Sequence, residues 1–148
     1  MRIVSSPVYL DTSALAKIYI AEAESDELET VLLGRRDLVV SDLAVSELTS
    51  VIARRAREAE LSAAHSRRLY QRLLRDLTVG EFRRAELTAA THRAAERLLM
   101  GLGRRVVLRA ADALHLTLAG SIGARVFLTF DRRMEAAARA LGTFELPA

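Results

Sequence analysis

Short apolar runs alternate along the chain with longer segments in which apolar residues recur every three or four positions. The short runs predict buried strands at Val8–Leu10, Leu38–Val40, Val79–Phe82, Val126–Phe130 and Thr143–Leu146. The longer segments predict amphipathic helices over Asp42–Glu60, Ser62–Leu77, Leu87–Leu102 and Ala110–Ile122. This alternation is typical of an α/β protein, here a three-layer sandwich whose central parallel sheet of four to five strands carries helices on both faces. The length of 148 residues predicts a single domain over residues 1–148.

Four acidic residues occupy positions that matter in such a fold, because parallel sheets carry their functional sites at the carboxyl ends of the strands. Asp11 ends the run "VYLD" and Asp131 ends "VFLTFD". Glu47, in "VVSDLAVSELTS", lies one or two turns into the helix that follows the second strand. Asp112, in "LRAADALHLTLAG", lies in the first turn of a helix among alanines and leucines. We therefore expect the four carboxylates to meet at one edge of the sheet.

Each acid alone also has a simpler interpretation as a helix-capping residue. Acidic and hydroxyl side chains near a helix N-terminus accept hydrogen bonds from the free N–H groups of the first turn and interact favourably with the helix dipole. Four such positions together are harder to explain by capping alone. The hydroxyls of Thr12, Ser13 and Thr129 either orient the carboxylates and phosphate oxygens or form caps and turns, and the sequence leaves both roles open.

Four carboxylates at one edge would repel each other and raise one another's pKa, and a divalent cation would relieve that repulsion. Removing one of these charges is then expected to leave the metal-free protein no less stable. The chain has no cysteine and no cluster of histidines, so all-oxygen ligation favours Mg²⁺ or Mn²⁺. Such an ion lowers the pKa of a bound water and neutralises phosphate charge, which are the two requirements of phosphodiester hydrolysis.

The positive charge of the chain comes almost entirely from arginine, and the formal net charge is +3. A basic, arginine-rich chain is compatible with phosphate partners, although a GC-rich coding sequence explains the arginine preference equally well. Arg109 and Arg132 lie within three residues of a site acid and are the best candidates for contacts with phosphate groups. Arg109 is equally placed to pair with Asp112. His115 lies one turn from Asp112, but a packed or exposed helical histidine is the favoured interpretation.

The ordered set "VYLDTSAL…SELTS…ADALHLTLA…VFLTFD", followed by "ARALGTFELP", resembles the PIN domain, and more closely the VapC-type toxins of bacterial and archaeal toxin–antitoxin pairs. The resemblance covers Val8 to Pro147. It implies a Mg²⁺- or Mn²⁺-dependent endoribonuclease that cleaves RNA. It also implies a cognate antitoxin protein as partner, a homodimer and a toxin–antitoxin hetero-oligomer.

The same resemblance implies a role for each acid. Asp11, Glu47, Asp112 and Asp131 match the catalytic and metal-binding acids of the family. Asp11 and Asp112 match the positions that contact metal most directly, whereas Glu47 and Asp131 match positions that often act through water. Thr129 matches the hydroxyl of a "T-x-D" turn. Many relatives carry a further acid or Asn shortly after the last Asp, but here two arginines follow and Glu135 is the nearest acid, so one or two metal ions stay possible.

Three other functions are alternatives to this one. A haloacid-dehalogenase-like phosphatase would use Asp11 as nucleophile, but it needs an acid where Ser13 stands and a late lysine, whereas Lys17 is the only lysine. A receiver domain lacks the same late lysine. A non-catalytic RNA-binding module would keep the acids only as caps. The apolar segment before Asp11 is too short for a signal peptide, and the uncharged run 113–124 is too short to span a bilayer, so we expect a cytoplasmic protein without a membrane partner.

Overall fold

Four short strands lie at the centre of the computed structural model, which describes residues 6–20, 25–32 and 37–147. Residues 1–5, which begin the apolar segment ahead of Asp11, lie outside this description. The strands are β1 (Val8–Leu10), β2 (Leu38–Ser41), β3 (Arg83–Ala85) and β4 (Val126–Leu128). They form one sheet in the order β3-β2-β1-β4, and all neighbours run parallel. The predicted α/β class with a parallel sheet is confirmed.

Seven α-helices surround this sheet in the described part of the chain. They are α1 (Thr12–Tyr19), α2 (Ser25–Leu32), α3 (Asp42–Arg57), α4 (Ala63–Thr78), α5 (Ala89–Gly101), α6 (Ala110–Ser121) and α7 (Arg132–Leu141). A 3₁₀ turn, Leu102–Arg104, follows α5. None of the described helices is long and apolar enough to cross a membrane.

Alternation along the strands divides the core into two layers, one on each face of the sheet. Val8, Leu10 and Leu128 point to one face and pack with apolar residues of α1 to α4. Tyr9 and Phe127, from the same strands, point to the opposite face and pack with α6 and α7. Successive side chains of a strand point to opposite faces, so a strand buried on both faces reads as a continuous apolar run. This explains why short runs such as "VYL" and "VFL" predicted β1 and β4.

The third predicted strand is wrong in position. Val79 is the C-cap of α4 and is 65% exposed. Gly80 follows in the left-handed region, with φ 80°. That backbone conformation suits glycine and turns the chain before the strand begins. The observed strand is Arg83–Ala85, which lies at the edge of the sheet and pairs with β2 alone. Its two arginines are exposed. Charged side chains are usual on such an edge strand and conceal it from a search for apolar runs.

The predicted fifth strand at Thr143–Leu146 is reduced to an isolated bridge. Glu145 pairs in parallel with Val126, and the backbone N–H of Phe127 donates to the carbonyl of Glu145 at 3.0 Å. The segment therefore continues the sheet beyond β4 without forming a regular strand. Helices α3 to α6 match the four predicted ranges, whereas no range was predicted for α1, α2 and α7.

Candidate active site

A cleft of about 210 Å³ lies at the carboxyl ends of the strands and is lined by all four predicted acids, Asp11, Glu47, Asp112 and Asp131. Asp11 directly follows β1, and Asp131 lies three residues after the end of β4. Each of these acids is the N-cap of the next helix. Asp112 lies in the first turn of α6, and Glu47 lies in the second turn of α3. The sheet order places β1 between β2 and β4, so these helix starts meet around Asp11. A larger cavity, of about 810 Å³, lies around Lys17, Tyr19 and Arg72 and contains none of the four acids.

Asp11 is the most enclosed of the four acids, with 3% of its surface exposed. The hydroxyl of Ser13 donates to Oδ1 at 2.6 Å and the hydroxyl of Thr129 donates to Oδ2 at 2.5 Å. The backbone N–H of Ala14 also donates to Oδ1, at 3.0 Å, which caps α1. Burial raises the pKa of Asp11 above its ordinary value, and these three hydrogen bonds oppose that rise. Ser13 and Thr129 thus fix both oxygens of a carboxylate that water reaches poorly.

The raised pKa of Asp11 predicts how the stability of the metal-free protein depends on pH. A carboxyl group whose pKa is higher in the folded state favours folding most when protonated, and this contribution is lost as pH rises through the folded pKa. Asp11→Asn keeps the shape and the cap without the buried charge. We expect the variant to unfold at higher urea than wild type at pH 8 in EDTA, by roughly 1 kcal/mol. The difference should shrink as the pH is lowered towards 4, and a constant difference across that range would contradict the assignment.

Glu47 is held by a chain of hydrogen bonds that runs through the buried core. Nε2 of His115 lies 2.6 Å from Oε1 of Glu47, and the hydroxyl of Thr12 donates to the same oxygen at 2.7 Å. The hydrogen bond from His115 lowers the pKa of Glu47, although partial burial opposes this. Because an ionised carboxylate only accepts hydrogen bonds, Nε2 carries the proton of this contact. Glu47 is therefore oriented by one buried imidazole and one hydroxyl.

The second ring nitrogen of His115 also has a hydrogen-bond partner, which orients the imidazole. Its Nδ1 lies 2.7 Å from the hydroxyl oxygen of Tyr9, and the Tyr9 hydroxyl donates its proton to Oγ of Ser41 at 2.8 Å. The two rings meet edge to face, with centroids 5.8 Å apart. His115 is 3% exposed, and burial raises the pKa of Tyr9, so the phenol stays protonated. The interpretation of His115 as a packed helical residue is correct in part, because the ring is buried, but it misses the contact with Glu47.

Asp112 and Asp131 share a cation, Arg133. Nε of Arg133 lies 3.0 Å from Oδ2 of Asp112, and its NH2 group lies 3.9 Å from Oδ2 of Asp131. Asp112 also accepts the backbone N–H of Arg109 at 3.0 Å, which closes the first turn of α6. Asp131 accepts the backbone N–H groups of Arg133 at 2.8 Å and Met134 at 3.2 Å, which caps α7. Asp112 therefore contacts the backbone of Arg109, whereas its side-chain partner is Arg133.

These contacts change the expectation of four mutually repelling carboxylates. Each acid accepts hydrogen bonds from its own set of donors. Within the described ranges, no three acidic or histidine side chains are arranged in their present conformations to hold one ion. The donor set nevertheless fits a divalent cation. Four carboxylates line one small cleft, they supply only oxygen ligands, and a guanidinium already lies between two of them.

The remaining predicted residues lie at or near the cleft. Thr12 and Ser13 line the cleft. The hydroxyl of Thr129 donates to Asp11 and accepts the backbone N–H of Asp131 at 3.0 Å. Arg109 lines the cleft, while Arg132 is exposed and is not among the described lining residues. Glu135, the nearest acid after Asp131, points elsewhere and pairs with Arg139 at 2.7 Å. Tyr9, Ser41 and Arg133 are site residues that the sequence did not predict; only the spacing of Arg133 from Asp131 could have signalled its place.

Comparison with known proteins identifies the family of this chain. The family model described as PIN domain matches residues 8–140, and the chain belongs to the PIN domain family. Among curated proteins, Ribonuclease VapC47 of Mycobacterium tuberculosis (strain CDC 1551 / Oshkosh) is 31% identical over 144 residues, which cover 91% of this chain and 92% of the relative. This match does not favour the phosphatase and receiver-domain alternatives.

Two solved structures illustrate the shared fold. Mycobacterium tuberculosis VapC20, described as a sarcin-ricin loop cleaving toxin, superposes with a TM-score of 0.68 at 16% identity, covering 88% of this chain and 94% of that one. VapBC2 from Rickettsia felis, bound to a DNA fragment from their promoter, superposes with a TM-score of 0.64 at 12% identity, covering 95% and 96%. At these identities the likeness establishes the fold.

Proposed function

We propose that this protein is a metal-dependent endoribonuclease and the toxin of a toxin–antitoxin pair. The observation that carries the proposal is the convergence of four carboxylates from four separate elements on one cleft of a PIN-domain fold. A relative named as a ribonuclease, matched over nine-tenths of both chains, supports the same activity. A non-catalytic module that kept its acids only as caps would have no need to gather them at one cleft.

In this proposal Asp11, Glu47, Asp112 and Asp131 hold Mg²⁺ or Mn²⁺, which supplies a water of lowered pKa and neutralises phosphate charge. The protein contributes the orientation of the ligands. Ser13 and Thr129 fix both oxygens of Asp11, and His115 with Thr12 fixes Glu47. Such outer contacts determine ligand direction and strengthen metal sites. Arg109 and Arg132 are proposed to contact RNA phosphates beside the cleft.

The partners follow from the same assignment. We propose a cognate antitoxin protein, a homodimer of this chain and a hetero-oligomer with the antitoxin, in the cytoplasm. The named relatives support a toxin–antitoxin setting, since one fold neighbour is a VapBC assembly. We also propose that residues 1–148 form a single domain, because the family match already spans residues 8–140.

Metal removal tests the proposed activity directly. Purified protein should cleave a structured RNA in Mg²⁺ or Mn²⁺, lose cleavage in excess EDTA, and regain it when the divalent ion is restored. A time course on a denaturing gel measures the rate. Cleavage that continues unchanged in EDTA would show that the acids act without metal. RNA binding without cleavage in every condition would favour the non-catalytic module.

A further inference from the structure

Arg133 is the positively charged side chain that contacts two of the site acids at once. Its Nε donates to Oδ2 of Asp112 at 3.0 Å, and its NH2 group lies 3.9 Å from Oδ2 of Asp131. Its backbone N–H is bonded to Oδ1 of Asp131 at 2.8 Å, so the start of α7 fixes the point from which the side chain extends. The guanidinium is therefore anchored over Asp112.

The partner of this guanidinium is a buried carboxylate. Asp112 is 5% exposed, and little water is available to solvate its charge. Burying such a charge is costly unless a cation or hydrogen-bond donors compensate it. Arg133 and the Arg109 backbone N–H together satisfy Oδ2 of Asp112. Because Oδ2 already accepts two hydrogen bonds, a metal ion at this oxygen would compete with the guanidinium, and an ion at Oδ1 would be repelled by its positive charge across the same carboxylate.

We propose that Arg133 is a resident counter-ion that competes with the divalent cation for Asp112 and thereby sets the metal affinity of the site. This inference rests on the proposed function, since it takes Asp112 to be a metal ligand. In the metal-free protein Arg133 stabilises the buried carboxylate. A metal ion that binds Asp112 must either displace the guanidinium or bind against its positive charge, and both weaken the apparent affinity. The side chain of Arg133, in the first turn of α7, is 31% exposed, so a displaced guanidinium would be solvated by water.

The test is Mn²⁺ binding by isothermal titration calorimetry, without RNA. Arg133→Gln should bind Mn²⁺ at least about tenfold more tightly than wild type, because no charged hydrogen bond has to be broken. The Mn²⁺ affinity of Arg133→Lys should lie between those of wild type and Arg133→Gln, since lysine keeps the charge but lacks the planar guanidinium. Arg109→Gln is the matched control, because Arg109 lines the same cleft and contacts Asp112 through its backbone N–H. Its Mn²⁺ affinity should stay within about threefold of wild type.

A thermal melt provides the second readout and covers the case in which a variant is unstable. Without metal, Arg133→Gln should melt below wild type, and saturating Mn²⁺ should raise its melting temperature by more than that of wild type. Equal or weaker Mn²⁺ binding by Arg133→Gln, or an equal gain in Arg109→Gln, would overturn the inference and leave the proposed function standing. If wild type and all variants fail to bind Mn²⁺, the proposed metal site fails, and this inference with it.

Discussion

Asp112→Asn is expected to reduce RNA cleavage at least about a hundredfold, which is the largest effect predicted for this chain. The amide keeps the shape of the side chain and can still accept the Arg109 N–H, so α6 should form normally. What is lost is the negative charge that metal binding requires. A role as helix cap alone makes the opposite prediction, because Asn caps about as well as Asp and would leave the rate unchanged.

The ion pair with Arg133 alters the stability expected of this variant. Among bare carboxylates, removing one charge would relieve repulsion and leave the metal-free protein no less stable. Asp112 is instead paired with Arg133 at 3.0 Å, so Asp112→Asn should lower the urea midpoint in EDTA. Asp37→Asn is the matched control, because Asp37 precedes β2 at the opposite edge of the sheet and pairs with Arg83 at 3.5 Å. It should cleave RNA at the wild-type rate, and a wild-type rate in Asp112→Asn would refute the site.

His115→Leu should reduce cleavage by about tenfold to a hundredfold, the range typical of residues that orient metal ligands. Leucine fills much of the buried space, but it leaves Oε1 of Glu47 with Thr12 alone and the Tyr9 hydroxyl with Ser41 alone. The effect should fall on kcat and leave KM nearly unchanged, because a ring that is 3% exposed does not contact RNA.

A conservative variant separates this positioning role from packing. The side-chain amide of His115→Gln places an N–H donor near the position of Nε2 and should recover most of the activity. Urea melts of both variants show whether each remains folded under the assay conditions. Equal loss of kcat in His115→Leu and His115→Gln, with both folded, would show that the hydrogen bond to Glu47 does not matter for the reaction.

The sequence predicted the position of the acids because their placement is largely local. Asp11 follows an apolar run that is buried on both faces of the sheet. The change from apolar residues to an acid and two hydroxyl residues marks both the end of β1 and the start of α1. Asp131 repeats the arrangement after β4. In a parallel sheet, residues after different strands reach the same edge whatever the length of the connections. The convergence of these positions therefore required only the correct fold class.

The contacts around the acids could not be predicted in the same way, because they depend on side chains distant in sequence. Tyr9 lies two residues before Asp11, yet its side chain meets His115, 106 positions later, in the layer that packs with α6 and α7. Arg133 reaches Asp112 only because α7 packs beside α6. The edge strand β3 was missed for a different reason, since its exposed arginines give no apolar pattern. The first two contacts depend on tertiary packing, which a linear pattern does not contain.

The capping role of Asp11 and Asp131 has a genetic consequence. Any Asp codon becomes an Asn codon by a single base change, and Asn accepts the same N–H groups at the start of α1 and α7. The shortest mutational path away from the activity proposed here thus leads to a chain that still folds. Such a chain would persist in the cell, keep its surface for the partner protein and draw that partner away from intact copies. At these two positions, loss of the activity and loss of the protein are separate events in evolution.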